Sequence, residues 1–195
     1  MTARALPAPV DERVWLRRAV TVLVRPGEVF EAMRDDSDTA ARVRSEAVLA
    51  LVLLAGIASV LWTPTYGRLM DDVANDALNV AVIVFIGGSL YGALGYFLGG
   101  LLLYALTRAV GGATYRQTRH VLAFASAPVA LSLVVVWPVR LAVYGEDVFR
   151  SGGSDRGAGN AGFYAVELLF VFWSLALVAL GLYTVLRHDP GVERV

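Results

Sequence analysis

The chain has 195 residues, 57% of them hydrophobic and only 17% charged, with a mean hydropathy of +0.60; soluble domains carry about 25% charged residues, so this composition fits a chain that faces lipid over much of its surface. Arginine supplies all 17 cations, 17 acids balance them, and a net charge of +0 gives no reason to expect nucleic acid as a partner. The absence of cysteine excludes disulfides, thiolate metal sites and Cys nucleophiles, and the two histidines, His120 and His188, are too few and too separated for a zinc site, so no cofactor is expected.

Residues 1–24 scatter Asp11, Glu12, Arg13, Arg17 and Arg18 and leave no uninterrupted apolar run. They are not a signal peptide, and targeting falls to the first span. Trp15, Leu16, Ala19, Val20, Val22 and Leu23 share one broad helical face, with Arg13, Arg17, Arg18, Thr21 and Arg25 on the other; Val14 and Val24 are exceptions. A basic helix with an apolar face is expected to lie in the headgroup plane. Packing against the cytoplasmic side of a bundle is the alternative.

Four apolar stretches follow. A bilayer core of about 30 Å takes roughly 20 helical residues. The first stretch, 47–62, is short and closes on Trp62, Thr63 and Pro64. The second, 78–107, is too long for one upright span and too short for two with a turn, and reads as one long tilted helix. Gly88, Gly92, Gly95 and Gly99 lie on one face of it, widened by Gly87 and Gly100. Such a face lets another backbone approach closely. It suits packing within the bundle, a dimer interface or a lipid groove. Tyr91, Tyr96 and Tyr104 accompany it and are expected to hydrogen-bond between helices. Gly111 and Gly112 then mark a turn, not a phosphate loop, because no Gly-Lys-Ser/Thr follows.

The third stretch, 121–144, is interrupted by Pro128 and Pro138, and the fourth covers 163–186. Between them the Gly/Ser-rich segment 151–162 is expected to be a flexible exterior loop. Arg140 and Glu167 fall inside these two spans at similar depth. Intramembrane charges are costly and usually functional or paired, so the two are expected to pair. The alternative is that Arg140 snorkels outward and Glu167 faces a wet crevice.

Arginine placement orients the chain. The N-terminal region holds Arg4, Arg13, Arg17, Arg18, Arg25, Arg34, Arg42 and Arg44, the loop after the second stretch holds Arg108, Arg116 and Arg119 without an acid, and the tail holds Arg187 and Arg194. The intervening loops mix Arg68 with Asp71, Asp72 and Asp76, and Arg150 and Arg156 with Glu146, Asp147 and Asp155. Four spans with both termini inside satisfy every segment. Arg116, Arg119 and His120 share one helical face at the cytoplasmic mouth of the third span. That face suits anionic lipid headgroups or an acidic protein partner, or plain positive-inside anchoring.

Catalytic signals are weak. Ser126 and Ser132 have no His nearby in any span, and His188-Asp189 sits in a tail before Pro190. No enzyme is expected.

Three stretches resemble the Yip1-domain family of small polytopic membrane proteins. Before the first span comes RPGEVFEAM, Arg25 to Met33, with Pro26 and Phe30. After the second comes GGATYRQTRHVLAFASAPVAL, Gly111 to Leu131, with Gly111, Gly112, Tyr115 and Pro128. The fourth span carries Trp173 and Gly181-Leu182 in a fitting position. The resemblance implies a helical membrane bundle and covers roughly Arg25 to Arg187. Many members have five spans, which keeps four and five both open. Eukaryotic members are implicated in vesicle trafficking and contact small GTPases through a long cytosolic N-terminal region; GTPase binding is not carried over here. The Lys-free, Arg-rich composition points to a bacterial source.

The sequence therefore predicts an all-α integral membrane protein of four spans, preceded by an amphipathic interfacial helix. Its expected organisation is a cytoplasmic N-terminal region (1–44), a transmembrane domain (45–188) and a cytoplasmic tail (189–195). The expected place is the bacterial cytoplasmic membrane. The expected role is a non-enzymatic scaffold or adaptor for partner proteins or lipids, with a homo-oligomer as one form of it. A small transporter or lipid-handling protein is the alternative.

Overall fold

The computed structural model describes residues 14–109, 111–155 and 157–187, and side chains from Arg17 onward apart from Arg18. Trp15, Leu16 and Arg18 as side chains, and His188, Asp189, Arg194 and the rest of the tail, lie outside what is described. All regular structure among the described residues is helical. Four helical runs are long and apolar enough to cross a membrane: Asp38–Leu61, Ala77–Arg108, Tyr115–Phe149 and Ala158–Leu186. The protein is a multi-pass helical membrane protein.

Helix α1 (Val14–Val24) and the short α2 (Pro26–Glu31) precede the first span. Pro26 opens α2, where its missing N–H costs nothing. Ala19 and Val22 of α1 are buried in the main core, so this part of the amphipathic face turns onto the bundle. The first span, α3 (Asp38–Leu61), begins nine residues before the apolar stretch, because the Ser37 hydroxyl caps it by accepting from the Ala40 N–H at 3.3 Å. It ends before Pro64, which disfavours helix at the residue ahead of it.

The second span is one continuous rod, α4 (Ala77–Leu94) and α5 (Gly100–Arg108), joined by a π-helical turn at Gly95–Gly99. Asp76 caps its start, accepting from the Asn79 N–H at 2.8 Å. The third crossing is broken. Helix α6 (Tyr115–Ala125) stops at Ser126, and α7 (Ala127–Tyr144) restarts with Pro128 in its first turn, where the ring is tolerated. The last span, α8 (Ala158–Leu186), starts inside the Gly-rich segment, after Gly157 at φ 123°.

The four crossings are embedded unequally. The apolar stretches of α3 and α6–α7 are 44% and 56% buried, whereas those of α4–α5 and α8 are 17% buried each. Helix α8 touches the bundle along Asn160, Phe163, Glu167, Phe170, Ser174, Leu177 and Gly181. That alternating three-and-four spacing is a heptad seam; up to Leu177 every other side chain on the helix is exposed, and beyond it Val178, Leu182 and Val185 also pack on the core. Two cores result. The larger joins Phe30, Met33, Leu51, Val121, Phe124 and Leu177 towards the end that carries the termini, here the terminal end. The smaller joins Met70, Val80 and Val84 at the opposite, loop end.

Candidate functional site

At the terminal end, the three stretches that carried the family resemblance meet. Phe30 is fully buried, and a Cβ added at Gly181 would fall 2.6 Å from Val121 Cγ1 and 2.9 Å from the Phe30 ring. The glycine on α8 exists to let Phe30 and α6 in. Gly111 and Gly112, at φ 144° and 88°, close α5 by donating both backbone N–H groups to the Thr107 carbonyl at 3.2 and 3.3 Å. Thr114 and Gln117 then form a reciprocal capping box on α6.

The same residues fasten the turn before α3. The Gln117 amide donates to the Met33 and Arg34 carbonyls at 3.2 and 3.4 Å, and the Thr114 hydroxyl donates to Asp36 at 2.7 Å. Arg116 pairs with Asp36 at 3.2 Å and with Asp38 at 2.6 Å. Arg44, 6% exposed, donates to the Ala32 and Asp35 carbonyls. Arg34 donates to the Arg187 carbonyl at the end of α8.

Arg119 lies over three rings, Tyr115 at 4.6 Å, Tyr96 at 5.2 Å and Phe97 at 5.3 Å, within the range of cation–π attraction. His120 is 6% exposed. Of the face of Arg116, Arg119 and His120, which in sequence suits a lipid or partner, Arg116 is tied to two carboxylates but stays partly exposed, Arg119 rests on the rings, and His120 is buried. An α-helical face needs partners, and here the turn at 33–38 and the rings supply them.

The glycines divide into those that pack, on α3 or on α6, and one that stands open. Gly88 and Gly92 cross Gly56 of α3 so closely that a Cβ at Gly56 would stand 2.2 Å from the Gly88 carbonyl oxygen, and one at Gly92 2.3 Å from that of Val52. This is backbone-on-backbone packing within the bundle. Gly99 and Gly100 meet Leu122 and Arg119 of α6 instead. Gly95 meets nothing within 4 Å and opens on an apolar cavity of about 180 Å³ beside Gly56, Ser59, Tyr91 and Ser126. The π turn frees carbonyls from regular pairing. Two hydroxyls of α6 answer: Tyr115 donates to Phe97 O and Thr118 to Gly100 O, both at 3.0 Å.

At the loop end the buried charge is Arg140, whose side chain is 5% exposed. Its guanidinium lies over Trp62 at 4.4 Å, Trp137 at 5.0 Å and Tyr164 at 5.8 Å. Trp62 in turn packs edge-on against Trp137 and at a tilt against Tyr164, with centroids 5.3 and 4.6 Å apart. The carboxylate that pairs with Arg140 is Asp155, at 3.0 Å, and Asn160 accepts from the same Nη2 at 3.0 Å.

The expected partner Glu167 is buried nearby and is not the ion-pair partner. Its carboxyl faces Ser132 and Trp62, but Glu167 Oε1 and Trp62 Nε1 both lack a hydrogen-bond partner. The reason is geometric. Asp155 reaches Arg140 from the segment ahead of α8, while Glu167 lies further along that helix, against Ser132 and Trp62. Composition marks the segment only as a Gly/Ser-rich loop, which does not single out Asp155 or Asn160 as partners of Arg140 or join Trp62 to Tyr164. A single Asp and a single Asn among glycines just ahead of an apolar helix was the available signal. Among the described residues no group of three or more His, Asp or Glu is placed to hold a metal ion.

The Yip1 domain family model matches residues 20–192, nearly the whole chain. No curated protein and no solved structure matches.

Proposed function

This chain belongs to the Yip1-domain family, and from that premise we propose that it acts as a non-enzymatic scaffold or adaptor that gathers partner proteins or lipids within the membrane. The observation that carries the reading is the unequal embedding of the spans: α4–α5 and α8 are held by narrow seams, with apolar stretches only 17% buried. Lateral faces of this breadth, bearing Leu98, Leu102, Leu169 and Phe172, suit packing against other membrane helices, a second copy included, or against annular lipid. Lipid tails offer no hydrophobic drive between helices, so complementary shape decides such contacts. At the terminal mouth Arg116 is tied to Asp36 and Asp38 and Arg119 to aromatic rings, which favours these flanks as the contact surface.

The alternation of arginine-rich and mixed segments supports both termini in the cytoplasm of a bacterial inner membrane. Reporter fusions after residue 195 read that orientation directly, and an exported C-terminus overturns it. The adaptor reading is tested by photo-crosslinkers at Leu98 and Phe172 in native membranes, with products read by mass spectrometry. A stoichiometric protein adduct at either position is expected. Lipid adducts alone at both would sink it.

The alternative, a small transporter or lipid handler, draws on one observation: Glu167 is a buried carboxyl with an unpartnered oxygen. It requires solute flux in proteoliposomes that is pH-dependent and lost in Glu167→Gln.

A further inference from the structure

Between Trp62, Arg68, Arg140, Arg150, Asp155 and Asn160 the loop end encloses a cavity of about 200 Å³. Three guanidinium groups line it against one lining carboxylate. Arginine presents a planar fork of donors that matches the oxygens of phosphate. We propose that this cavity binds a phosphate-bearing anion, and that Asp155 occupies the anion's place when the cavity is empty.

Donors outnumber acceptors here. Arg140 directs Nη2 to both Asp155 and Asn160, yet its Nε is buried without a partner. Arg68 makes no ion pair among the described residues. Arg150 gives Nη1 to the Met70 carbonyl at 3.2 Å and Nη2 to Glu146 at 3.3 Å, the latter pair lying largely in solvent. A desolvated guanidinium donor left over beside a polar cavity is what an oxyanion satisfies, and the more exposed Arg68 and Arg150 add charge at its mouth. The aromatic rings hold the Arg140 guanidinium in place whether or not Asp155 is present.

Asp155 is suited to be displaced. It lies between Gly152 at φ 86° and Gly157 at φ 123°, two positions that favour glycine, rather than on a helix. The segment is tied upstream by the Ser151 N–H to Asp71 at 2.7 Å and the Ser154 N–H to Asp147 at 3.1 Å. Asp155 itself is held by Arg140. A phosphate carries more acceptors than one carboxylate and competes for the same guanidinium. The cavity sits at the end of the spans, where lipid headgroups lie, so a phospholipid phosphate and a free phosphate share the required chemistry.

The test uses the full chain purified in phosphate-free, phospholipid-free detergent. Tryptophan fluorescence and calorimetry follow titration with sodium phosphate, and separately with phosphatidylglycerol in mixed micelles. Sodium chloride and a glucosyl diacylglycerol serve as controls. Saturable binding of either phosphate probe, absent with the controls, is expected. Saturation by inorganic phosphate marks a soluble anion, and response to phosphatidylglycerol alone marks a headgroup.

Arg68→Gln, at an exposed side chain, is expected to weaken binding about tenfold, the scale of one charge-assisted contact. Asp155→Asn is expected to tighten it, because the internal competitor is gone; a purely structural Asp155 would leave binding unchanged or weaken it. If Asp155→Asn does not fold, Arg68→Gln carries the test by itself. No saturable response to either probe overturns the site. So does undiminished binding in Arg68→Gln, or weaker binding in a folded Asp155→Asn.

Discussion

Each end of the bundle encloses an arginine among three aromatic rings, and the two are held differently. At the terminal end Arg119 rests on Tyr96, Phe97 and Tyr115, and its Nε is buried unpaired. The carboxylates there, Asp36 and Asp38, go to its neighbour Arg116. At the loop end Arg140 rests on Trp62, Trp137 and Tyr164 but also takes the carboxylate of Asp155 and the amide oxygen of Asn160. The terminal end is built by helices and a capped turn, which fix one geometry. The loop end borrows its anion from a glycine-flanked segment. A charge paired within helices and a capped turn serves architecture; one paired by a connecting segment is the one placed to exchange partners.

The largest expected effect tests the loop end. Arg140→Ala removes the ion pair, one hydrogen bond and three ring contacts, and leaves Asp155 without its cation. A loss of about 3–5 kcal/mol is expected for breaking a buried pair, measured by denaturation in detergent. Arg140→Lys, which keeps the charge and loses the planar stacking, is expected to fall between. If Arg140→Ala unfolds no earlier than the native chain, the ring box is not holding the loop end together.

Next comes the glycine crossing that joins the ends. Gly92→Ala puts a Cβ 2.3 Å from the Val52 carbonyl oxygen, whereas Gly95→Ala meets nothing within 4 Å. The first is expected to cost about 1–3 kcal/mol through overpacking. The second is expected to leave stability unchanged or slightly raised, since alanine suits a helix better than glycine. Equal effects at the two positions would break the division of the glycines into packing and open groups.

At the terminal end, Thr114→Ala removes both the cap of α6 and the hydroxyl on Asp36. A loss of about 1 kcal/mol is expected, with faster hydrogen exchange at residues 33–38 as the local readout. Arg116→Ala touches a partly solvated pair and is expected to cost less than about 1 kcal/mol. If it costs as much as Arg140→Ala, the contrast between the ends fails.

The smallest effect is a pH dependence of the loop end. The Ser151 hydroxyl and backbone N–H, with lesser help from Arg68 and Arg150, hold the Asp71 carboxyl below its ordinary 3.8. A depressed folded value means the contact stabilises fully above the unfolded pKa and is lost as pH falls through the folded one. Acidification below about pH 4 is therefore expected to loosen the tie between the 66–71 and 145–151 segments. Asp71→Asn removes that component of the acid transition; an identical acid profile in the variant counts against it.

Much of the architecture was legible in the residues. Four apolar stretches of sufficient length, with few charges, require helices in lipid because no water is present to satisfy a free backbone. The motif residues around Gly111–Pro128 identified the family, since capping and glycine turns leave a local signature that does not depend on distant partners. The long second stretch is one rod, as its length required, but the π turn at Gly95–Gly99 carries no compositional mark.

What the sequence by itself determined is therefore the set of spans, their helical character and the family, all properties of local composition and local backbone chemistry. Only the tertiary structure decided partners. It gave Arg140 to Asp155 rather than Glu167, tied Arg116 to Asp36 and Asp38, set Arg119 on aromatic rings, buried His120, and set Gly56 against Gly88 and Gly92. Charge pairing and helix contact depend on rotation and crossing of whole elements. A helix wheel fixes which residues share a face; only packing fixes what that face meets.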